Sequence, residues 1–353
     1  MNQRIEKLFG TEENIAYLFF DETNRFYLTG FRSDLGVAVL TKGKQYLLAD
    51  SRYSEDAAKS CEAFEVIETS PFEFHAKICE LLHANGVSEV YLENRTLRYE
   101  EYVSAVSALK DFKIRKLDDR LELLRAIKTE EEIAQIASAQ GIAERAFEKM
   151  RQTLRVGVSE RDAATELEYQ MMKLGAEGIA FSTIVAFDEN ASKPHCVPSH
   201  ENKLKNNSVV LVDFGAKIGG YCSDTTRTFC FGKPSDEFAK VYAVVGKAVE
   251  NMERFAKAGV QCNEADGYCR EPIKANGFGA NFLHATGHGV GLDIHEYPSV
   301  SGRCHALLEE NMVITCEPGI YLPGKFGVRT EDLLVVRADG VEVLTKLPKE
   351  LTV

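Results

Sequence analysis

Residues 209–229 read VVLVDFGAKIGGYCSDTTRTF, from Val209 to Phe229. The apolar run Val209–Val212 predicts a strand that delivers Asp213. The chain then reverses around Ile218-Gly219-Gly220, and a second strand delivers Asp224. Gly-Gly between two β-type runs marks a hairpin, because primed turns need positive φ. A turn centred on Ile218-Gly219 sets the two aspartates directly opposite one another. A turn centred on Gly219-Gly220 makes them diagonal neighbours on the same face. Opposed Cβ atoms lie about 4.5–5.5 Å apart and diagonal ones about 7–8 Å. Carboxylates that close repel and raise each other's pKa unless a cation sits between them. A solvated hairpin with two surface acids is the plainer alternative, but Asp is depleted in strands and Asp213 follows an apolar run. The stretch leans towards a metal site.

Residues 311–335, NMVITCEPGIYLPGKFGVRTEDLLV, form a second predicted hairpin turning through Pro323-Gly324-Lys325. Gly324 is the centre of symmetry for Glu317 and Glu331, so these glutamates should also oppose one another. Period two sends Asp332 to the face opposite Glu331, and Cys316 to the face opposite Glu317. Cys222 lies two residues along the strand from Asp224 and reads as structural. Two hairpins that each present paired carboxylates are a much stronger signal than either alone.

Between the hairpins, residues 282–296 read FLHATGHGVGLDIHE, with His284, His288 and His295 within twelve positions. A lone histidine is more often structural, but three flanked by glycines that permit close backbone approach point to a site. The GHGVG run lacks the GxGxxG spacing and opens no helix, so a nucleotide loop is a weak reading. Four carboxylates with one or two imidazoles suit two divalent ions about 3.5–4 Å apart. Hard and borderline ions, Mn²⁺ or Co²⁺, fit such oxygen-rich donors better than a thiolate-type zinc site, with Zn²⁺ still possible. A metal pair makes hydroxide available at neutral pH, and further histidines can hydrogen-bond a developing oxyanion.

The chain as a whole is of ordinary globular composition: 353 residues, 44% apolar and 27% charged, enough for about two domains. A formal charge of −12 disfavours nucleic acid and anionic membrane as partners. The N-terminus MNQRIEKLFGTEEN has no apolar leader, and no apolar run approaches bilayer-spanning length. Nine scattered cysteines without a CxxC pair fit a reducing compartment, so a cytoplasmic protein is expected.

Residues 1–121 read as an α/β domain. Strand-like runs are Ala16–Phe20, Phe26–Thr29, Gly36–Leu40 and Gln45–Ala49, followed by alternating helical and strand patterns to Leu117. Asp50-Ser51-Arg52-Tyr53 reads as a strand end and helix cap. His75 and His83, on the helical run Phe74–Ala84, read as structural. The charged segment Leu117-Asp118-Asp119-Arg120 precedes a second domain, residues 122–353. There Thr129 and Glu132 form a capping box for a long helix, and a second helix runs from Ser159 to Gly175 with Met171 and Met172 in its core-facing run. Phe181–Ala186 reads as a strand. Ser235 caps a helix to about Lys257, and another runs from Glu264 to about Ala275. Six of the eight histidines lie between residues 195 and 305, a concentration that core packing does not require.

The motifs VDFGA, SDTTRT, HATGHGVGLDIHE, TCEPGIY and GVRTED, in that order, resemble the pita-bread metallopeptidases: prolidase, aminopeptidase P and methionine aminopeptidase. RFYLTGF and YLLADSRY look like the creatinase/prolidase N-terminal domain, which favours the Xaa-Pro branch. The resemblance implies an α/β N-terminal domain, an α+β pita-bread catalytic domain, and a homodimer acting on proline-containing peptides. It implies that Asp213 chelates one metal, that Asp224 and Glu331 bridge both, and that His288 and Glu317 hold the other. Glu317 would also shuttle a proton. His284 and His295 would lie near the substrate carbonyl and the imino ring, and His195, in PHCVP, would face the scissile region. Arg329 would hold a ligand in place, and Arg303 would meet the substrate's free carboxylate. One departure precedes the first ligand strand: the family's Gly-Asp turn is replaced by Asn206-Asn207-Ser208.

The resulting expectation is a dimetal peptidase cleaving before proline. The alternatives are a metal-free creatinase-type hydrolase and a non-catalytic binding module on the same fold. The intact five-residue ligand set argues against both.

Overall fold

Alternating apolar runs in the N-terminal part become one mixed sheet in a computed structural model that describes residues 3–353. The order is α1 (Gln3–Phe9), β1 (Ile15–Phe19), α2 (Glu22–Thr29), β2 (Val37–Thr41), β3 (Gln45–Ala49), α3 (Ser54–Ser60), β4 (Glu65–Glu68), α4 (Phe74–Ala84), β5 (Glu89–Leu92), α5 (Tyr99–Ala108) and β6 (Lys113–Lys116). The six strands lie in the order β4-β3-β2-β1-β5-β6. The β1–β2 and β2–β3 pairs are antiparallel and the others parallel.

One expected strand is a helix. Phe26–Thr29 ends α2, because local caps override the β-propensity of Phe and Tyr. Asp21 Oδ1 accepts the Asn24 N–H at 2.9 Å, and Gly30, at φ 74°, donates its N–H to Phe26 O at 2.7 Å. Asp50 closes the end of β3 by accepting the Arg52 N–H and pairing with its guanidinium. Tyr53, rather than Asp50 or Ser51, is the residue that precedes α3.

Helix α6 (Arg120–Ala126) spans the division of the chain into two units, Met1–Arg125 and Ala126–Val353. The second unit holds α7 (Glu130–Arg151), α8 (Glu160–Lys173), β7 (Gly178–Ile179), β8 (Ile184–Phe187), β9 (Ser208–Phe214), β10 (Ala216–Ile218), β11 (Tyr221–Cys222) and β12 (Thr225–Phe231). Then follow α9 (Asp236–Phe255), α10 (Cys262–Ala275), β13 (Gly287–Gly289), β14 (Glu296–Val300), β15 (Val313–Cys316), β16 (Gly319–Leu322), β17 (Phe326–Arg329), β18 (Asp332–Val336) and β19 (Val341–Val343). The capping box at Thr129 and Glu132 starts α7 as expected, and Ser159 caps α8. Met171 is buried in the core, whereas Met172 is half exposed. Among the described residues no helix is long and apolar enough to cross a membrane.

The strands are sorted by their period of two. On β9, Val210, Val212 and Phe214 pack into a core with Ala143, Phe147 and Leu167 of α7 and α8. Val209 and Leu211 pack with Val241, Val245 and Cys269 of α9 and α10. Asp213 therefore shares the face of Val209 and Leu211. Of the run Phe181–Ala186, only Ile184 onward is strand. Pairing with β9 starts at Ile184↔Asp213, and Gly215 separates β9 from β10. A Cβ at Gly215 would stand 1.9 Å from Ser223 O, so glycine lets the two strands of this hairpin close.

Candidate metal centre

The register of the first hairpin decides between the two geometries open in the sequence. Ile218 pairs with Tyr221, so the turn centres on Gly219-Gly220, with φ values of 55° and 82°. Asp213 pairs with Thr226, which makes Asp224 its diagonal neighbour on the same face. Asn207 takes a positive φ of 66° ahead of β9, a conformation asparagine tolerates, and its Oδ1 accepts the Lys233 N–H at 2.8 Å.

In the second hairpin β15 pairs with β18 as Cys316↔Asp332, and β16 pairs with β17 as Gly319↔Arg329. Both ladders share one register, and Glu317 stands opposite Glu331 in the gap between them. Their amides turn to other strands: Glu317 N–H donates to Thr286 O at 2.8 Å, and Glu331 N–H to Thr226 O at 3.0 Å. Cys316 and Asp332 face away, as period two requires. Cys316 contacts Cys269, and Asp332 pairs with Arg227 at 2.8 Å.

Glycines at 287 and 289 let β13 thread between β14 and β15, since a Cβ at either would lie within 2.3 Å of a backbone oxygen. His288 Nδ1–H donates to Gly289 O at 3.0 Å. That bond assigns the tautomer and leaves Nε2 as the acceptor, 3.6 Å from Asp224 Oδ2 and 3.4 Å from Glu317 Oε1. The His295 ring packs edge-on against His288, with centroids 4.4 Å apart.

All five proposed ligands line one cavity of about 800 Å³, together with His195, His284, His295 and Arg329. Ligand atoms of Asp224, His288 and Glu331 lie within 4.8 Å of one another. Asp213 Oδ1 and Glu331 Oε1 are buried without a hydrogen-bond partner. Burial pushes Asp224 well above the usual carboxylate range, and the charges of Glu331, Asp213 and Glu317 add to it. Burial likewise raises Glu331, with repulsion from Glu317 and Asp213. Glu317 is pushed up to about 8 by burial, against the pull of Arg329. His284 and His288 are held down at about 4, chiefly by burial. Neutral imidazoles, crowded carboxyls and orphaned oxygens are the donor set that divalent ions would occupy.

Arg303 is not part of this cavity. It is exposed in the polar turn Ser301-Gly302-Arg303 and is not among the residues that line the cavity. Sequence reasoning also missed two residues that the structure sets behind the carboxylates. Tyr321 OH accepts from Arg329 Nη1 at 2.7 Å and donates to His284 Nε2 at 2.9 Å. Thr226 Oγ1 accepts from Arg329 Nε at 2.9 Å and donates to Glu331 Oε2 at 2.7 Å. The guanidinium also pairs with Asp213 Oδ2 at 2.6 Å. The signal was present in the period-two spacing, since Tyr321 and Arg329 share the face of Glu317 and Glu331. A third residue, Glu160, lies fully buried beneath the His195 segment. Its carboxylate accepts from Phe187 N–H at 2.8 Å, Ser199 N–H at 3.0 Å, Asn190 Nδ2 at 3.0 Å and Asn202 Nδ2 at 2.7 Å.

A family model for metallopeptidase family M24 matches residues 134–338, and one for the creatinase/prolidase N-terminal domain matches residues 2–127. The chain belongs to metallopeptidase family M24. Its fold is the creatinase-type N-terminal domain followed by the pita-bread domain, as the motifs implied. The Xaa-Pro dipeptidase of Pyrococcus furiosus is 35% identical, with 99% of this chain and 100% of that protein covered. An Xaa-Pro dipeptidase structure from Bacillus anthracis superposes with a TM-score of 0.96 at 36% identity, covering 99% of each chain. The X-Pro aminopeptidase structure from Thermotoga maritima gives a TM-score of 0.92 at 36% identity, over 99% of this chain and 100% of that one. This M24 chain is thus a metallopeptidase with dipeptidase-named and aminopeptidase-named relatives at equal identity.

Proposed function

We propose that the protein hydrolyses the peptide bond before proline, using two divalent ions held by Asp213, Asp224, His288, Glu317 and Glu331. The observation that carries this is the convergence of two carboxylate-bearing hairpins and a neutral His288 on one cavity, with buried oxygens that lack partners. Xaa-Pro names among relatives that cover the whole chain support the substrate class. Bound ions would supply Lewis acidity and an acidified water. Mn²⁺ or Co²⁺ suits the oxygen-rich donors best.

The chain's own groups then have distinct tasks. Glu317 is pushed up to about 8, which suits taking and returning a proton at its carboxylate. His295 offers an N–H to the oxygen that gains charge at the scissile carbonyl, His284, whose two nitrogens are held by Ala285 O and Tyr321 OH, flanks the imino ring, and His195 completes the lining. Arg329 fixes Asp213 directly, Glu331 through Thr226, and His284 through Tyr321. The catalytic domain is assigned to residues 122–353. Nine free thiols support a reducing, cytoplasmic setting, and a homodimer is the proposed assembly. A metal-free hydrolase or a pure binding module leaves the crowded carboxyls without a role.

The test is purified protein loaded with Mn²⁺ or Co²⁺ and assayed on Xaa-Pro, Xaa-Pro-Yaa and the matching Xaa-Ala peptides. Cleavage before proline with two ions per chain by elemental analysis is expected. Turnover that ignores proline, or that persists after complete chelation, rejects the proposal.

A further inference from the structure

Helix α10 carries two charged residues one turn apart, Asp266 and Arg270, joined as a fork. Arg270 Nε donates to Asp266 Oδ2 at 2.7 Å, and its Nη2 donates to Oδ1 at 2.9 Å. Asp266 is buried and Arg270 half-buried, and neither is among the residues that line the cavity. The helix does not depend on this pair to stay in place, since Cys262, Ala265, Cys269 and Ile273 already pack it into the core. Ion pairs at this spacing add only tenths of a kcal/mol to a helix.

The pair is turned instead to residues 282–286, the stretch ahead of β13 that belongs to no helix or strand and carries His284. Arg270 Nη2 donates to His284 O at 2.8 Å, and Nη1 to Phe282 O at 3.4 Å. The guanidinium carbon lies 4.2 Å from the centre of the Phe282 ring. That ring meets the His284 imidazole edge-on, with centroids 5.2 Å apart. Asp266 Oδ1 accepts from Thr286 Oγ1 at 2.8 Å. Three alternate residues, 282, 284 and 286, are therefore gripped from α10. Their place matters to the site, because Thr286 O accepts the Glu317 N–H at 2.8 Å and His284 Nδ1 stands 4.0 Å from Glu317 Oε2.

A loop that presents a functional side chain takes its precision from supporting groups on rigid elements. Ala285 O and Tyr321 OH meet the two ring nitrogens of His284, and Arg270 fixes its carbonyl and, through Phe282, the edge of its ring. We infer that Arg270, locked by Asp266, is a positioning residue that holds His284 beside the imino ring. The inference rests on the Xaa-Pro reading for the task of His284.

The experiment is a double-mutant cycle on Xaa-Pro hydrolysis by the metal-loaded enzyme, with Arg270→Ala, His284→Ala and the two combined. Arg270→Ala should lower kcat/KM by about 10–100-fold at unchanged metal content. In the His284→Ala background the same change should cost no more than about 2-fold. Arg270→Lys keeps the charge and part of the donor set, so it should lose less, and it takes the place of Arg270→Ala in the cycle if that variant does not fold. Equal losses with and without His284, no loss in either, or loss of metal overturns the assignment. In metal-free, histidine-labelled protein the His284 imidazole signal, identified by its absence from His284→Ala, should shift in the Arg270 variant. A wild type that cleaves no Xaa-Pro peptide removes the functional reading, and this signal then decides the positioning alone: an unmoved signal overturns it.

Discussion

Glu317 and Glu331 face one another at the point where a single β-hairpin comes apart. On either side of them the strands keep one register, Cys316↔Asp332 and Gly319↔Arg329. At the pair itself each backbone amide is given elsewhere, to Thr286 O just before β13 for Glu317 and to Thr226 O of β12 for Glu331. The gap that results is the opening into which the Asp213 and Asp224 hairpin presents its own acids. The two hairpins are joined through Thr226, which pairs with Asp213 by register and with Glu331 by a side-chain hydrogen bond.

The crowding of these acids predicts a split between activity and stability. Asp224 is 5% exposed and raised by burial and by its three acidic neighbours. Asp224→Asn should lose bound metal and activity, yet its chelated form should be more stable than chelated wild type, by about 1–3 kcal/mol. Thermal unfolding in chelator, with elemental analysis, measures both. A variant that keeps two ions, or a chelated form less stable than wild type, contradicts the bridging role.

His295 tests oxyanion stabilisation separately from metal retention. Its ring packs against His288, and among the described residues it forms no hydrogen bond or ion pair with a carboxylate. His295→Ala should lower kcat by about 10²–10³-fold at unchanged metal content. Loss of metal would instead make it a ligand, and near-normal turnover would take it out of the reaction.

Tyr321 should matter through orientation. Its hydroxyl is the sole bridge from Arg329 Nη1 to His284 Nε2 among the described residues. Tyr321→Phe leaves both groups short of a partner, at a cost of about 1–3 kcal/mol, or roughly 5–150-fold in kcat/KM. Metal content should not change. Equal activity of the variant and wild type would mean that His284 is held by Ala285 O alone.

A pH signature is expected in the N-terminal unit. Glu93 is buried, and burial pushes its carboxyl up to about 7 despite hydrogen bonds from Asn24 and the Asp21 and Phe20 amides. A carboxyl with a raised folded pKa binds its proton more tightly in the folded state. Its contribution to stability is therefore full below about 4.5 and is lost as pH rises to about 7. Unfolding free energy should decline over that range by up to about 3 kcal/mol, and Glu93→Gln should flatten that decline. Parallel profiles for the two proteins would assign the slope to other groups.

The site was legible where strand periodicity and turn symmetry act alone. Gly324 as a centre of symmetry put Glu317 opposite Glu331, and the Gly-Gly turn left two options for Asp213 and Asp224 that only the register could separate. Phe26–Thr29 was misread because Asp21 and Gly30 set its conformation from outside the run. Phe181–Thr183 resembled a strand by composition, but residues 180–183 face only residues 214–215 between the Ile179↔Ala216 and Ile184↔Asp213 pairs, so the excess leaves the ladder. Tyr321, Thr226 and Glu160 escaped notice because their roles depend on which distant groups they meet. Arg303 was placed by its position between motifs, a signal that does not carry the direction of an exposed loop side chain.

The crowded carboxyls also say something about history. Asp224, Glu317 and Glu331, raised by burial and by one another's charge, weigh against the fold when nothing is bound, and neutral replacements are a common and easily reached class of stabilising change. A lineage that no longer used the cavity would be free to drift towards such replacements. Retention of Asp213, Asp224, Glu317 and Glu331 together, with His288 among them, is what a cavity in use would require of its lineage.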